Sequence, residues 1–200
     1  HAGAWIPLAN LTGATFSGNV TASAGITIAD DNNLKFGDGT TYIQGSGAND
    51  RLKFIANNTE HMRVHSAGYV TKPNQPSFMA FANPTRDTSG TYNEILRNFG
   101  TVRHNIGNHY DNSTGRFTAP VSGRYLFNAV ITYDQSVSFS YLLYFQINGA
   151  ASFVGANQNY GTTSMSVVYN LNANDYVDLH SDRAHYASTP RNHWSGYLLG

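Results

Sequence analysis

The chain of 200 residues contains no cysteine, so its stability must come from core packing or from association between chains rather than from disulfides. Charged residues are scarce too, at 12% of the chain, about half the roughly 25% of ordinary globular domains. The 12 basic and 12 acidic residues cancel, so neither a basic footprint for nucleic acid nor a polybasic membrane patch is present. No apolar run approaches the roughly 20 residues that a membrane-spanning helix needs.

The chain also lacks an initiator methionine and a signal peptide, because it opens with His1-Ala2-Gly3-Ala4-Trp5. We therefore expect a piece of a longer protein, in which a preceding part contacts neighbouring proteins.

Turn-forming and aromatic residues dominate what is present. Gly, Asn, Ser and Thr replace the missing charges, and aromatic residues make up 13% of the chain. That mixture favours turns over helices and argues against disorder. Since helical periodicity is absent and short apolar runs recur between turns, the sequence predicts an all-β protein.

Residues 1–73 are predicted to form a fibrous β stalk. Turn formers such as Asp30-Asp31-Asn32-Asn33 and Asn57-Asn58 interrupt it every few residues. The strand-like runs between them are Phe16–Val20, Gly25–Ile28, Leu34–Phe36, Thr41–Ile43, Leu52–Ile55 and Met62–Val64. Runs this short bury little apolar surface in one chain, so we expect three chains to share a core along a common axis. The alternative is a flexible linker, against which the regular return of Ile, Leu and Phe argues.

The stalk also resembles the shaft segments of bacteriophage tail fibres. The segments that carry the resemblance are Asn10–Val20 and Asn33–Thr40, and Leu34-Lys35-Phe36 returns as Leu52-Lys53-Phe54. The resemblance implies a viral protein that is assembled in the bacterial cytoplasm and carried on the tail of the virion.

Residues 74–200 are predicted to form a compact head. Pro73 and Pro76 favour extended, unpaired backbone at the boundary. The predicted strands are Phe78–Ala82, Arg116–Ala119, Arg124–Tyr133, Phe139–Ile147, Ala151–Val154, Ser164–Leu171, Tyr176–His180 and Trp194–Leu199. In the third of these, Tyr125, Phe127, Ala129 and Ile131 alternate with more polar positions. Short strands separated by regular turns predict a sandwich or jelly roll.

Three segments of the head resemble the globular head of complement component one-q. They are Asn108–Phe127, Tyr141–Gly149 with its Asn148-Gly149 turn, and Trp194–Leu199. The resemblance implies a ten-strand jelly roll, related to tumour necrosis factor, that forms a homotrimer and binds ligands. The collagen-like repeat of many relatives is replaced here by the fibre-like stalk, which favours a phage or bacterial fibre over a complement protein.

Strand alternation predicts which loops lie at the end of the head far from the stalk. They are Asp134–Val137, Gly155–Thr163 and Ser181–Asn192, and loops on a rigid scaffold are where binding residues concentrate. The candidate receptor-binding residues in the last two loops are Asn157, Gln158, Asn159, Tyr160, Arg183, His185, Tyr186 and Arg191. Amides can bond saccharide hydroxyls, while Arg, His and Tyr can stack on sugar rings or anchor an interface. The alternative is that Tyr186 and Trp194 pack at a subunit interface.

No metal or cofactor is predicted from the residues themselves. The resemblance implies that calcium can sit near the apex of the trimer, where Asp134 would be the ligand; the neighbouring loop offers no carboxylate, so such a site would be weak. The histidines do not follow zinc spacing, and most of them are predicted at the surface or at interfaces.

An enzyme is not predicted. Polysaccharide cleavage usually needs two carboxylates close together, and Asp175 and Asp178 are expected to point to opposite faces. Asp134 and Asp182 could meet at the apex, which leaves a polysaccharide-degrading tailspike as an alternative. The sequence therefore predicts the distal part of a homotrimeric phage tail fibre that attaches to a bacterial receptor, most readily a glycan, with a purely structural trimerisation domain as the rival interpretation.

Overall fold

All regular secondary structure in the described part of the chain is β-strand. The structure is a computed structural model that describes residues 26–29, 31–37, 39–82, 94–96, 99–132, 140–152, 156–159, 161–181 and 192–200. Seventeen strands are found in these ranges, and none of the segments described there is a helix that could cross a membrane. The predicted all-β class is therefore confirmed.

The N-terminal part forms one antiparallel sheet whose strands follow chain order. Its five strands are β1 (Asn33–Phe36), β2 (Thr41–Ser46), β3 (Arg51–Ala56), β4 (Thr59–Val64) and β5 (Val70–Thr71). The turn at Asn57-Asn58 is confirmed, and both residues adopt positive φ, 49° and 55°, as tight hairpin turns require. The strand predicted at Gly25–Ile28 is wrong for residues 26–28, which form no strand; the run predicted at Phe16–Val20 lies outside the described residues.

The head is a sandwich of two antiparallel sheets. Its first strands are β6 (Ser77–Phe81), β7 (Glu94–Ile95), β8 (Thr101–Ile106), β9 (Tyr110–Asp111) and β10 (Arg116–Thr118). The remaining strands are β11 (Gly123–Thr132), β12 (Ser140–Ile147), β13 (Ala150–Ala151), β14 (Ala156–Asn159), β15 (Thr162–Leu171), β16 (Tyr176–Ser181) and β17 (His193–Leu198). One sheet has the order β15-β11-β17-β6-β8; the other has the order β13-β12-β16-β10-β9, with β14 pairing β12 and β7 pairing β16.

The core lies between these two sheets and is built from the alternation seen in the sequence. Tyr125, Phe127, Ala129 and Ile131 on β11 are all buried, which confirms their common face. Aromatic rings fill the centre: the Trp194 ring lies 4.6 Å from that of Phe78 and 6.1 Å from that of Phe145, between centroids. Trp194 is thus a core residue, and the alternative that placed it at a subunit interface is wrong.

Gly196 shows how tightly this core is packed. A Cβ atom at Gly196 would lie 2.5 Å from the Phe127 ring and 2.8 Å from the Phe78 ring, so only glycine fits between the two rings. The Asn148-Gly149 turn is also confirmed, with φ of 52° and 78°, because a two-residue hairpin of this kind needs positive φ at both positions.

Four of the head strands that the structure describes were not predicted from the sequence: β7, β8, β9 and β14. β8 carries Arg103, His104 and Asn105 in succession, so its alternation is masked, and its pairing with β6 is irregular opposite Met79 and Ala80. β14 is part of the loop predicted at Gly155–Thr163, yet its backbone pairs with β12 from Leu143 to Ser140. Edge strands gain their order from backbone hydrogen bonds to a neighbour, which leave little trace in the side-chain pattern.

Candidate functional site

The strand register gives the head two ends. Near the N-terminal sheet, Tyr197 pairs with Ser77, and the Leu198 amide donates a 3.0 Å hydrogen bond to the Pro76 carbonyl. We call this the proximal end. At the opposite, distal end, the registered pairs are Phe81 with His193, Thr132 with Thr162, and Ser140 with Asn159. Ser181 also ends β16 there, opposite Leu143. The described residues that flank the three predicted loops therefore share the distal end, as the sequence predicted.

Asn192 ties the start of β17 into the distal end. Its side chain is fully buried, and its Oδ1 atom accepts a 2.7 Å hydrogen bond from the Thr132 amide. The Asn192 carbonyl accepts a second bond, of 2.9 Å, from the Ala82 amide. One residue thus links the ends of β11, β17 and β6, which gives the adjoining loops a rigid base. Sequence analysis placed Asn192 only as the last residue of a loop.

The candidate receptor-binding residues can be placed only in part. Asn157, Gln158 and Asn159 lie in β14, whose backbone pairs with β12 and reaches the distal end at Asn159. Tyr160, Arg183, His185, Tyr186 and Arg191 lie outside the described residues, as do Asp134 and Asp182. The binding roles of these residues stay predictions.

The outward face of the β15-β11-β17-β6 sheet is almost free of charge. The row nearest the proximal end holds the exposed Arg124 beside Asn170. In the row after it, Val168, Leu126 and Tyr197 stand side by side, and Val168 is 51% exposed. The next row consists of Ser166, Asn128, Ser195 and Met79, and the distal row of Ser164, Val130, His193 and Phe81. A face with little charge and with exposed aliphatic and aromatic side chains is suited to burial against another protein surface.

The other sheet carries a buried charged cluster that sequence analysis missed. Asp178 is only 1% exposed, and its Oδ2 atom accepts a 3.1 Å hydrogen bond from Arg116 Nε. Its Oδ1 atom accepts a 2.8 Å bond from His180 Nε2. The Arg116 guanidinium also lies 4.2 Å from the centre of the Tyr176 ring, close enough for a cation–π contact. His180 is therefore a buried residue, unlike the surface or interface position predicted for most of the histidines.

Asp175 and Asp178 do not form a catalytic pair. The Asp175 carboxylate accepts bonds from the Asn148 side chain at 2.8 Å and from the Asn172 amide at 2.7 Å, so it joins two turns at the proximal end. The hydrogen bond from the Asn148 side chain is the main reason that the pKa of Asp175 lies below its usual value. The two carboxylates therefore have separate partners, Asn148 and Asn172 for Asp175 and Arg116 and His180 for Asp178.

The segment from Asn108 to Phe127 forms a tightly bonded corner. Asp111 accepts hydrogen bonds from the Ser113 amide and hydroxyl, at 2.8 and 2.7 Å, and these bonds lower the pKa of its carboxyl. Tyr110 packs against Phe78 with the ring planes 9° apart, and its hydroxyl donates to the Phe99 carbonyl at 3.2 Å. Burial raises the pKa of Tyr110 to about 12, so the phenol stays neutral. Because each of these groups already has a protein partner, the segment acts as framework.

In the ranges that the structure describes, no three His, Asp or Glu side chains come together as a metal site would require. Asp134, the one predicted calcium ligand, is not among those residues.

Comparison with known proteins assigns the family. The model of the C1q domain matches residues 78–199, which is more than half of the chain, so the chain belongs to the C1q family. Two solved structures are similar: the globular domain of zebrafish complement 1qA protein and rabbit GITRL. The zebrafish domain is 17% identical, with 63% of this chain and 98% of that chain covered and a TM-score of 0.46. Rabbit GITRL is 13% identical, with 62% and 94% covered and a TM-score of 0.40.

The family match confirms the jelly-roll prediction for the head. Domains of the C1q family form homotrimers and are in general binding or structural domains rather than enzymes.

Proposed function

We propose that this chain is the distal part of a homotrimeric phage tail fibre that attaches to a bacterial receptor through the distal end of its C1q domain. The observation that carries the proposal is the topology of the head. The strands that flank the three polar loops end at the distal end of the head. The N-terminal sheet joins at the proximal end, next to Ser77. A fibre held through its N-terminal part would therefore present these loops first to a surface.

The outward face of the β15-β11-β17-β6 sheet, which carries little charge, supports trimerisation of this particular chain. Val168, Leu126 and Tyr197 would be covered in a trimer, whereas the sheet that carries Arg116 and Asp178 would face outwards. Three identical sites on one rigid tip raise the effective affinity of weak contacts, because the second and third contacts form at high local concentration.

The loop composition favours a glycan as the receptor. Asn157, Gln158, Asn159 and Tyr160 offer amides and a phenol, and Arg183, His185, Tyr186 and Arg191 offer planar groups that can stack on sugar rings. Such a protein would reside on the tail of the virion after assembly in the bacterial cytoplasm, and other tail proteins would bind an N-terminal part.

The test is binding of the intact chain to a glycan array and to a panel of bacterial strains. We expect the triple variant Arg183→Ala, Tyr186→Ala and Asn159→Ala to lose at least tenfold in binding while its mass in solution remains that of a trimer. The matched control is Thr118→Ala, an exposed position on β10 that pairs with Tyr176 at the proximal end of the other sheet, which should bind normally. A triple variant that stays trimeric and binds as well as the parent would leave a purely structural trimerisation role.

The enzyme alternative has its own measurement. Incubation of the chain with bacterial capsule or lipopolysaccharide should release no oligosaccharide. Release that depends on Asp134 or Asp182 would establish a tailspike instead.

A further inference from the structure

One face of the N-terminal sheet is apolar over all five strands. Cross-strand register places Leu34, Ile43, Phe54 and Met62 in one row of this face. The neighbouring positions on the same face are Phe36, Leu52, Val64 and Val70. We call these eight residues the apolar face. Phe36 is 50% exposed and Val70 53%, so a single chain leaves much of the face in contact with water.

The opposite face of the same sheet carries its charges. Lys35, Gln44, Lys53 and Arg63 lie there around Tyr42 and the buried Ile55. Glu60 lies between Lys53 and Arg63, at 3.2 and 2.6 Å. A stable soluble sheet with this division buries its apolar face and leaves the polar one in water. The repeat of Leu-Lys-Phe in β1 and β3 produces the division, because both Leu and Phe point to the apolar side while Lys points away.

Other apolar residues extend this face towards the N-terminus. Ile26 and Ile28, before β1, line one groove together with Leu34, Ile43 and Leu52. Both isoleucines are exposed in the single chain. An apolar area of this extent, left open over a whole sheet, marks a surface that another protein surface covers.

We propose that the apolar face packs against the same face of two further copies of this chain, so that three five-stranded sheets form the walls of a closed three-sided prism. This inference rests on the homotrimer of the proposed function and adds which surfaces meet in the stalk. Copies of this chain cover the apolar face because the sheet lies close to the head in sequence. β5 ends at Thr71, and β6 begins only six positions later, at Ser77. A trimer of C1q heads therefore holds three such sheets within a linker length of about 20 Å, where effective concentrations are in the millimolar range or higher.

The sheet is anchored on the head, which favours a fixed arrangement. Within the linker, the Asn74 side chain donates a 2.9 Å hydrogen bond to the Glu60 carbonyl on β4. The neighbouring Gln75 side chain donates to the Leu198 carbonyl on β17. Because adjacent linker residues bond to both bodies, the threefold axis of the heads would continue into the stalk.

The width of the sheet agrees with three walls. Five strands about 4.8 Å apart make a wall about 19 Å wide, and three such walls enclose an axis about 6 Å from each wall. That distance is about half the roughly 10 Å between packed sheets, so Leu and Phe side chains from three walls would meet and fill the centre. β3 is the middle strand, which places Leu52 and Phe54 nearest the axis.

The chain offers a direct test because it contains no cysteine. Leu52→Cys puts a single thiol on the apolar face of the middle strand, and Lys53→Cys puts one on the polar face of the same strand as a matched control. Glu60 keeps Arg63 as a partner in the control. Both full-length variants would be labelled with a bulky maleimide under native conditions, and the mass of each in solution would be measured.

We expect Leu52→Cys to react with the maleimide at least tenfold more slowly than Lys53→Cys, with equal rates after unfolding. Equal native labelling, in a protein whose mass is still that of a trimer, would overturn the prism and leave the head trimer intact. Slow labelling of Leu52→Cys in a protein whose mass is that of a monomer would overturn it too, since the cover would then be part of the same chain. A monomeric mass would refute the proposed homotrimer itself, and glycan binding can be lost or kept independently of all these results.

Discussion

Asp178 and His180, two residues apart on β16, are joined by a 2.8 Å hydrogen bond from His180 Nε2 to Asp178 Oδ1, and both side chains are buried. On the other oxygen of Asp178, Arg116 binds at 3.1 Å from β10. The cluster therefore connects two strands of the charged sheet through one carboxylate.

Removal of this carboxylate should destabilise the head. In Asp178→Ala, Arg116 is 37% exposed and stays solvated, but the buried His180 Nε2 loses this acceptor, and loss of a buried hydrogen-bond partner costs about 1–3 kcal/mol. We expect urea unfolding to show a loss of about that size. Asp178→Asn keeps the shape and one acceptor oxygen, so it should lose less; equal stability of the alanine variant and the parent would contradict the structural role of the cluster.

Gly196→Ala should destabilise the core because its Cβ would collide with the rings of Phe127 and Phe78. Overpacking of this kind costs about 1–3 kcal/mol, measurable as a lower Tm. Ser195→Ala changes the neighbouring residue, which faces outwards from the same strand, and should leave Tm nearly unchanged. A Gly196→Ala protein with the parent Tm would mean that the rings move apart without cost.

Asn192→Ala should weaken both the fold and the distal end. The Thr132 amide would lose its buried acceptor, and an unsatisfied buried donor costs about 1–3 kcal/mol. If the distal loops bind the receptor, binding to the glycan array should also fall, because Asn192 adjoins one of them. Asn170→Ala, on an exposed position of β15, is the control for both measurements. Unchanged binding by a destabilised Asn192→Ala protein would show that the loop next to Asn192 does not bind the receptor.

Asp175 should make the protein more stable at neutral than at acid pH. Its folded pKa lies below its ordinary value of 3.8, so the carboxylate stabilises the folded state above the unfolded pKa, and this contribution is lost as pH falls through the lower folded pKa. We expect Asp175→Asn to be less stable than the parent at pH 7. Thermal unfolding followed towards pH 2 should bring the two curves together, and a gap that stays constant over the whole range would exclude a contribution from the charge.

Much of the head could be predicted from its sequence. β11 alternates cleanly at Tyr125, Phe127, Ala129 and Ile131, and the Asn148-Gly149 turn needs positive φ that few other pairs adopt. β8 and β14 could not be predicted, since their order depends on hydrogen bonds to β6 and β12 rather than on an apolar pattern of their own.

For the N-terminal sheet, the sequence indicated short strands and apolar residues that a single chain cannot bury. It did not indicate that β2, β3 and β4 each extend to six residues or that the eight apolar side chains lie on a single face. That arrangement depends on register, because a shift of one residue in any strand would have moved its apolar residues to the polar side.

The sequence alone determined the all-β class, because strand alternation and turn chemistry are local properties, and its resemblance to complement component one-q implied the jelly-roll head. Only the tertiary structure decided that Asp178 meets Arg116 and His180, that Asn192 joins three strand ends at the distal end, and that Val168, Leu126 and Tyr197 form one row on a sheet face of the head. Arg116 and Asp178 are 62 positions apart, and no local pattern specifies such a contact: it arises when two strands distant in the chain become neighbours in one sheet.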